Sequence, residues 1–164
     1  MKSLREALAA KRVRETVYPL AIADDTEARA RLEEAKRRRL IVGVGKPDDD
    51  PAVVEAQAAV DAAQAEVDAC YYPLRLRGIP PADLEALIAA HPPKPGAPED
   101  AMWDKDSLLP DLVAACAVDS DLTAEEWAAE FASGRWTRGD VDALFLAAMS
   151  VCVKAVNADA VGKG

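Results

Sequence analysis

Apolar residues recur at steps of three, four and seven along most of this chain, and at steps of two in only two short places. The clearest helical stretch is 136–157. Val141, Leu144, Phe145, Ala148, Cys152 and Val156 form one stripe there, Thr137 stands at the N-cap, and Asp140 can reach back to it. Before it, Leu122-Thr123 with Glu126 and Trp127 spells a capping box, opening a helix that ends near Ser133-Gly134. Ser107 is placed as the cap of the preceding helix. Pro110 then falls in its first turn, and Leu109, Leu112, Val113 and Cys116 form its stripe. Residues 80–90 make a helix with Leu84, Leu87 and Ile88 inward.

The first half holds two longer helical patterns and a short one. Val53, Val60 and Val67 fall seven apart, each followed three residues later by Ala56, Ala63 and Cys70. Such a seam of small residues lets helices approach closely. Residues 27–40 have a thinner stripe of Ala28, Leu32 and Ala35, and Gly43 to Asp50 is a turn. The two helices pair as an antiparallel hairpin, since under three heptads is short for pairing between subunits. Residues 3–14 form a short, basic helix with a thin edge of Leu4 and Leu8.

The period-two stretches are 16–22, TVYPLAI, and 71–79, YYPLRLRGI. Tyr18, Leu20 and Ile22 alternate on one face, as do Tyr72, Leu74 and Leu76. The segments echo each other, and Pro19 keeps the first at a sheet edge. The expected fold is α+β, mainly α: a short two-stranded antiparallel sheet with a helical-hairpin insertion, followed by a C-terminal bundle of about four helices. Residues 1–79 make the N-terminal region and 80–160 the helical domain, with a linker at 91–102 that opens on HPPKPGAP. Two strands alone are marginal, so their apolar face needs a helix or another subunit across it.

Composition changes this picture in two respects. The net charge is −9, and aromatics are only 5% of the chain. An acidic surface repels phosphate backbones, so no nucleic-acid partner is expected. Charge is also uneven. Residues 1–46 carry 12 Lys/Arg against 7 Asp/Glu, 47–100 carry 3 against 11, and 101–164 carry 5 against 11. The basic run Lys36–Arg39 is read as ending a helix and favouring its negative pole. The N-terminus is too charged for a signal peptide, and no run approaches the ~18 apolar residues of a membrane span. A cytosolic location follows as the expectation. Cys70, Cys116 and Cys152 are far apart, without a CxxC, and read as buried free thiols.

Candidate chemistry is sparse. Residues 43–46, GVGK, lack phosphate-loop spacing, carry Pro47 where Ser or Thr would stand, and precede three aspartates. VDSDLTAEE lacks the central glycine of a calcium loop. There is no HExxH, GxSxG or Cys/His pair. His91, alone before Pro92-Pro93, reads as a helix-end residue. No catalytic, metal or cofactor residue is assigned, and no enzyme is expected. With so few aromatics, Trp127 and Trp136 are assigned to the core. Trp103, beside the Pro-rich linker, is the candidate anchor for a partner, together with the strand edges at Tyr18 and Tyr72.

From residue 74 onward the order of features resembles a known family. LRLRGIPPADLEALIAAHPP gives a strand, a helix and a closing His-Pro-Pro. MWDKDSLLPDLVAACAVDSDLTAEEWAAEF gives a Trp-led segment, a Leu-Pro-x-Leu helix and a Leu-Thr-x-Glu-Glu start. WTRGDVDALFLAAMSVCVKAVN closes the module at Asn157. Together these are similar to the tail assembly chaperones of long-tailed phages and prophages of actinobacteria, although Leu108 stands where an aromatic is expected. The resemblance covers about 85 residues. It implies a protein of the host cytoplasm, absent from the mature virion. Such a protein binds and solubilises the tape-measure protein and helps recruit tail-tube subunits. It also implies a longer product made by frameshifting, for which Gly162-Lys163 suits a slippery codon run, while self-association is an expectation from the basic head on an acidic body and the exposed strand edges. The alternative expectation is a structural virion protein, such as a tail completion or head–tail connector subunit.

Overall fold

A computed structural model describes residues 1–155. The elements in chain order are α1 (Leu4–Ala9), β1 (Glu15–Ala21), α2 (Thr26–Gly43), α3 (Pro51–Asp68), β2 (Tyr71–Arg77), α4 (Pro81–Ala90), α5 (Lys105–Cys116), α6 (Ala124–Phe131) and α7 (Arg138–Val153). The fold is α+β and mainly α, with one two-stranded antiparallel sheet. Contacts divide the chain into two compact units. One comprises Met1–Tyr18 and the chain from Leu74 onward; the other is Pro19–Pro73. The expected division lay at 79/80. The contacts divide within the two strands instead, at 18/19 and 73/74, and the excursion between those points is the helical hairpin.

The hairpin unit forms as the heptad seam predicts. Val53, Ala56, Ala63 and Val67 are buried along α3, and Ala28 and Leu32 along α2. Ala28, Leu32, Ala63 and Val67 make one cluster, edged by Ala35, Val60, Cys70 and Tyr71. Pairs across the helices run in opposite order. Arg39 Nε bonds Gln57 at 3.3 Å and Arg31 Nε bonds Glu66 at 2.6 Å, which fixes the helices as antiparallel. Small side chains make this close packing feasible. The hairpin's base is fastened by Tyr71, whose hydroxyl donates to Asp25 and accepts from Arg29 at 3.1 Å. α3 follows directly on the Gly43–Asp50 turn: Asp50 caps it by accepting from the Ala52 N–H at 2.9 Å, and Pro51 takes its first position.

One expectation about α2 is corrected. Lys36–Arg39 do not end the helix, which continues through Leu40, Ile41 and Val42 to Gly43, and its last turn carries no basic residue. Ion pairs occupy the run instead: Lys36–Glu33 at 3.2 Å, Arg37–Glu34 at 2.8 Å and Arg39–Asp48 at 3.2 Å. Three apolar helix-compatible residues extended the helix past the point where its buried stripe stops.

In the other unit, α4, α6 and α7 all pack on α5. Leu108, Leu109, Pro110, Leu112, Val113 and Cys116 of α5 are buried, as are Leu144, Ala148 and Val151 of α7, Trp127 of α6 and Leu84 of α4. The start of α5 differs from expectation. Asp104, not Ser107, is the N-cap, its carboxylate accepting from the Asp106 N–H at 3.3 Å. Pro110 therefore lies inside the helix rather than in its first turn. The expected boxes at Thr123/Glu126 and Thr137/Asp140 are both closed, and Ser3/Glu6 adds a third on α1. α1 buries no residue. The α7 helix stops at Val153, while Val156, Asn157, Gly162 and Lys163 lie outside the described residues. Removing the Thr137 hydroxyl takes the acceptor from the Asp140 N–H. Thr137→Ala is expected to cost about 1 kcal/mol, read as a lower urea midpoint at unchanged slope.

The ribbon's register follows from its end bonds. Gly78 N–H donates to Arg14 O and Ile22 N–H to Cys70 O, each at 2.9 Å, so Tyr18 stands opposite Leu74 and Leu20 opposite Tyr72. Leu74 and Leu76 are buried, as their alternation predicts. Two residues assigned to that face are not: Ile22 lies beyond the strand end and is exposed, and Tyr72 is 47% exposed. Full burial on this face is confined to Leu74 and Leu76, while Tyr18 and Leu20 opposite are half-buried. Leu76 bridges Ala117 and the Val118 N–H donates to Arg75 O at 3.0 Å, covering that edge of β2.

The opposite face is ionic. Glu15 takes Arg77 at 2.6 Å and Arg75 at 3.3 Å, and Arg75 also meets Asp119 at 3.1 Å. The Arg77 hydrogen bond, with Arg75 beside it, holds the Glu15 carboxyl below the usual range. The Tyr71 hydroxyl, followed by Arg29, does the same for Asp25, and Lys105 for Asp142. Groups whose folded values are depressed bind protons more weakly than in the unfolded chain. Their stabilisation is present above the unfolded values near pH 4 and is lost as pH falls through the folded ones. Thermal scans are expected to show a midpoint that drops below about pH 4, and Asp25→Asn should flatten part of that slope.

Candidate functional site: the apolar tip of the hairpin

Helical geometry decides where the end of α2 points. Counting from buried Leu32, Ile41 falls nine residues on, half a turn around the helix and away from the α3 seam. Arg39 and Val42 continue the half-buried side instead. Leu40 is 72% exposed, Ile41 67%, Val44 78% and, across the turn at the start of α3, Val54 54%. The turn between them uses Gly45 at φ +69°, a left-handed conformation that suits glycine. Charge surrounds the patch: Lys46, the Arg39–Asp48 pair and Asp48–Asp50. Four exposed aliphatic side chains thus stand near the turn of the hairpin, among charged residues of the same stretch. They offer no proton donor, nucleophile or ligand. Sequence reasoning missed this site by ending the helix at Leu40. The run LIVGV, too apolar for a thin-striped helix, was the available signal.

The three partner-contact candidates named from sequence are held in different ways. Tyr18 and Trp103 belong to one unit and Tyr72 to the other. Tyr18 is half-buried, and burial, with the Asp140 charge, pushes its hydroxyl pKa up. Trp103 lies half-buried on Phe145 of α7, ring centroids 6.1 Å apart, with the Lys105 ammonium 5.4 Å from the same Phe145 ring. Its indole is thus partly occupied within its own unit. Tyr72 alone stands open. Trp127 is buried and stacks on Phe131 at 5.6 Å, and Phe131 meets Trp136 edge-on at 4.9 Å. Trp127 is core, as expected, and Trp136 is half-buried. Among the described residues, Trp127 Nε1 has no hydrogen-bond partner.

The structure also assembles a constellation that the separated residues concealed. His91 caps the end of α4, and its Nδ1 lies 2.8 Å from Ser107 Oγ and its Nε2 2.6 Å from Asp111 Oδ2. With Nε2–H given to the Asp111 carboxylate, Nδ1 of the neutral ring accepts from Ser107 Oγ, which also lies 3.3 Å from the Asp104 carbonyl one turn back. The Asp104 N–H also donates to His91 O at 2.9 Å. This arrangement ties α4 to α5 across the linker, which agrees with reading His91 as a helix-end residue. In the same unit an open groove of about 470 Å³ is lined by Ile79, Asp83, Ala86, Leu87 and Ala115. Its single ionisable side chain, Asp83, is too little to orient a substrate.

Among the described residues no three His, Cys, Asp or Glu side chains gather as a metal-holding group, and no helix is long and apolar enough to cross a membrane. Comparison of the chain with protein-family models, curated proteins and solved structures finds no match.

Proposed function

We propose that this chain is a non-enzymatic tail assembly chaperone of a long-tailed phage or prophage. It acts in the host cytoplasm, keeps the tape-measure protein soluble and helps bring tail-tube subunits to it. The observation that carries this reading is the exposure of four aliphatic side chains, Leu40, Ile41, Val44 and Val54, near the turn of a charged hairpin. A tape-measure protein is long, helical and apolar. A holdase for it must show aliphatic side chains to the partner while the rest of its surface resists aggregation. The net charge of −9 serves the second need. The order of features from Leu74 to the C-terminus, which resembles that family, supports the identity of the partner.

The test is co-expression with the tape-measure protein encoded beside this chain. A soluble complex is expected, with this chain missing from purified particles by mass spectrometry. Unchanged solubility and no complex would sink the proposal. Presence in finished particles would favour a structural virion protein instead.

A further inference from the structure

The three cysteines, read from sequence as unrelated, include a pair in space. Cys116 is the last residue of α5 and is buried; Cys152 lies in the last turn of α7 and is partly exposed. Their sulfurs are 3.3 Å apart, against about 2.05 Å in a disulfide. The surroundings hold the two helix ends in place. Ala117, next to Cys116, bridges Leu76 of β2. Gly78, just past β2, approaches α7 so closely that an added Cβ would lie 2.6 Å from Val151 O. Its N–H is fixed to Arg14 O at 2.9 Å, and Arg14 Nη1 bonds Ala155 O at 3.2 Å. The sulfurs thus face each other where α5, α7 and the β2–α4 connection meet.

We propose that Cys116 and Cys152 form a reversible thiol–disulfide site that reacts with low-molecular-weight disulfides and, when oxidised, locks the end of α5 to the end of α7. The roles of the two thiols follow from their settings. Cys152 is the more exposed of the two, and the Cys116 sulfur beside it, with the Ile79 N–H, lowers its pKa to about 7. The same contact, reinforced by burial, pushes Cys116 up. Cys152 is therefore the attacking thiolate and Cys116 the resolving thiol.

In the first step the Cys152 thiolate attacks one sulfur of the small disulfide. A Cys152 mixed disulfide forms, the S–S bond of the reagent breaks, and one small thiolate leaves. Cys152 now carries no charge, so part of what retains the Cys116 proton is gone. The departing thiolate takes that proton. Cys116 then attacks the Cys152 sulfur, the protein disulfide forms, and the second small thiolate leaves and takes back from water the proton that Cys152 had given up. Two electrons pass from the pair to the reagent, which is reduced to two thiols. The closed loop spans 36 residues and contains all of α6, so oxidation constrains the unfolded chain as well.

The experiment equilibrates the full chain with oxidised glutathione, blocks free thiols with iodoacetamide and maps peptides by mass spectrometry. The expected result is a Cys116–Cys152 linked peptide, alkylated Cys70, a higher urea midpoint than the reduced chain, and full reversal by a dithiol. Cys116→Ser should trap glutathione on Cys152, whereas Cys152→Ser should leave Cys116 free of adduct. In the reduced wild-type chain at pH 7, Cys152 should be alkylated about threefold faster than a thiol of ordinary pKa, once its lower nucleophilicity is counted. Separate alkylation of Cys116 and Cys152 after equilibration would overturn the proposal. So would a link to Cys70, or a glutathione adduct persisting on the wild-type chain. The wild-type mapping decides the matter even if a serine variant fails to fold, and none of these readouts depends on the partner.

Discussion

Leu112→Ala is expected to destabilise the α4–α7 unit by about 2–5 kcal/mol, the largest effect of any single truncation considered for this chain. Leu112 is fully buried at the middle of α5, the helix on which α4, α6 and α7 all pack. Its neighbours on α5, Leu108, Leu109 and Val113, are buried too, so little freedom remains for collapse around the missing carbons. All three tryptophans lie in this unit, so the urea transition followed by tryptophan fluorescence reports its stability directly. A change below about 1 kcal/mol would mean that α5 is not the centre of the core, because such values belong to surface or volume-conserving changes.

The paired change Leu40→Gln and Ile41→Gln should abolish rescue of the tape-measure protein while leaving the chain's own stability within about 0.5 kcal/mol. Both side chains are mostly exposed, and glutamine is as good a helix former as leucine, so the folded hairpin loses almost nothing. The partner loses the aliphatic surface that would cover it. Leu146→Gln is the control, since Leu146 is an equally exposed leucine of the other unit, on α7. If both variants rescue equally well, the tip is not the contact surface. If both fail equally, general loss of surface hydrophobicity is responsible rather than a defined site.

The Val53, Ala56, Ala63 and Val67 seam was legible because small residues at heptad spacing mark a helix-packing face, and its shortness favoured a partner within the chain. The capping boxes at Thr123 and Thr137 were legible because they close over three residues, without distant help. Reading failed where a neighbour distant in sequence intervened. Tyr72 shares the parity of Leu74 and Leu76 yet stands exposed, because full burial on that face is confined to the other end of the strand. Asp104 displaced Ser107 as the α5 cap, and Ser107 turned to His91 instead. The candidate site was the hardest to see. Tyr18 and Trp103 are the kinds of residue that anchor partners, but both are half-buried within their own unit, and the open aliphatic patch lies on a turn read as structural punctuation.

By itself the sequence determined the kinds of elements, the capping boxes of α6 and α7, and the hairpin seam. Each of these depends on interactions within a few turns or on a repeat that names its own partner. Tertiary structure alone decided that the chain divides within its strands, that His91 reaches Ser107 and Asp111, that Cys116 faces Cys152, and that Leu40 and Ile41 face solvent. Those outcomes depend on which faces the packed helices cover, and residues 16 to 36 positions apart carry no periodicity that links them.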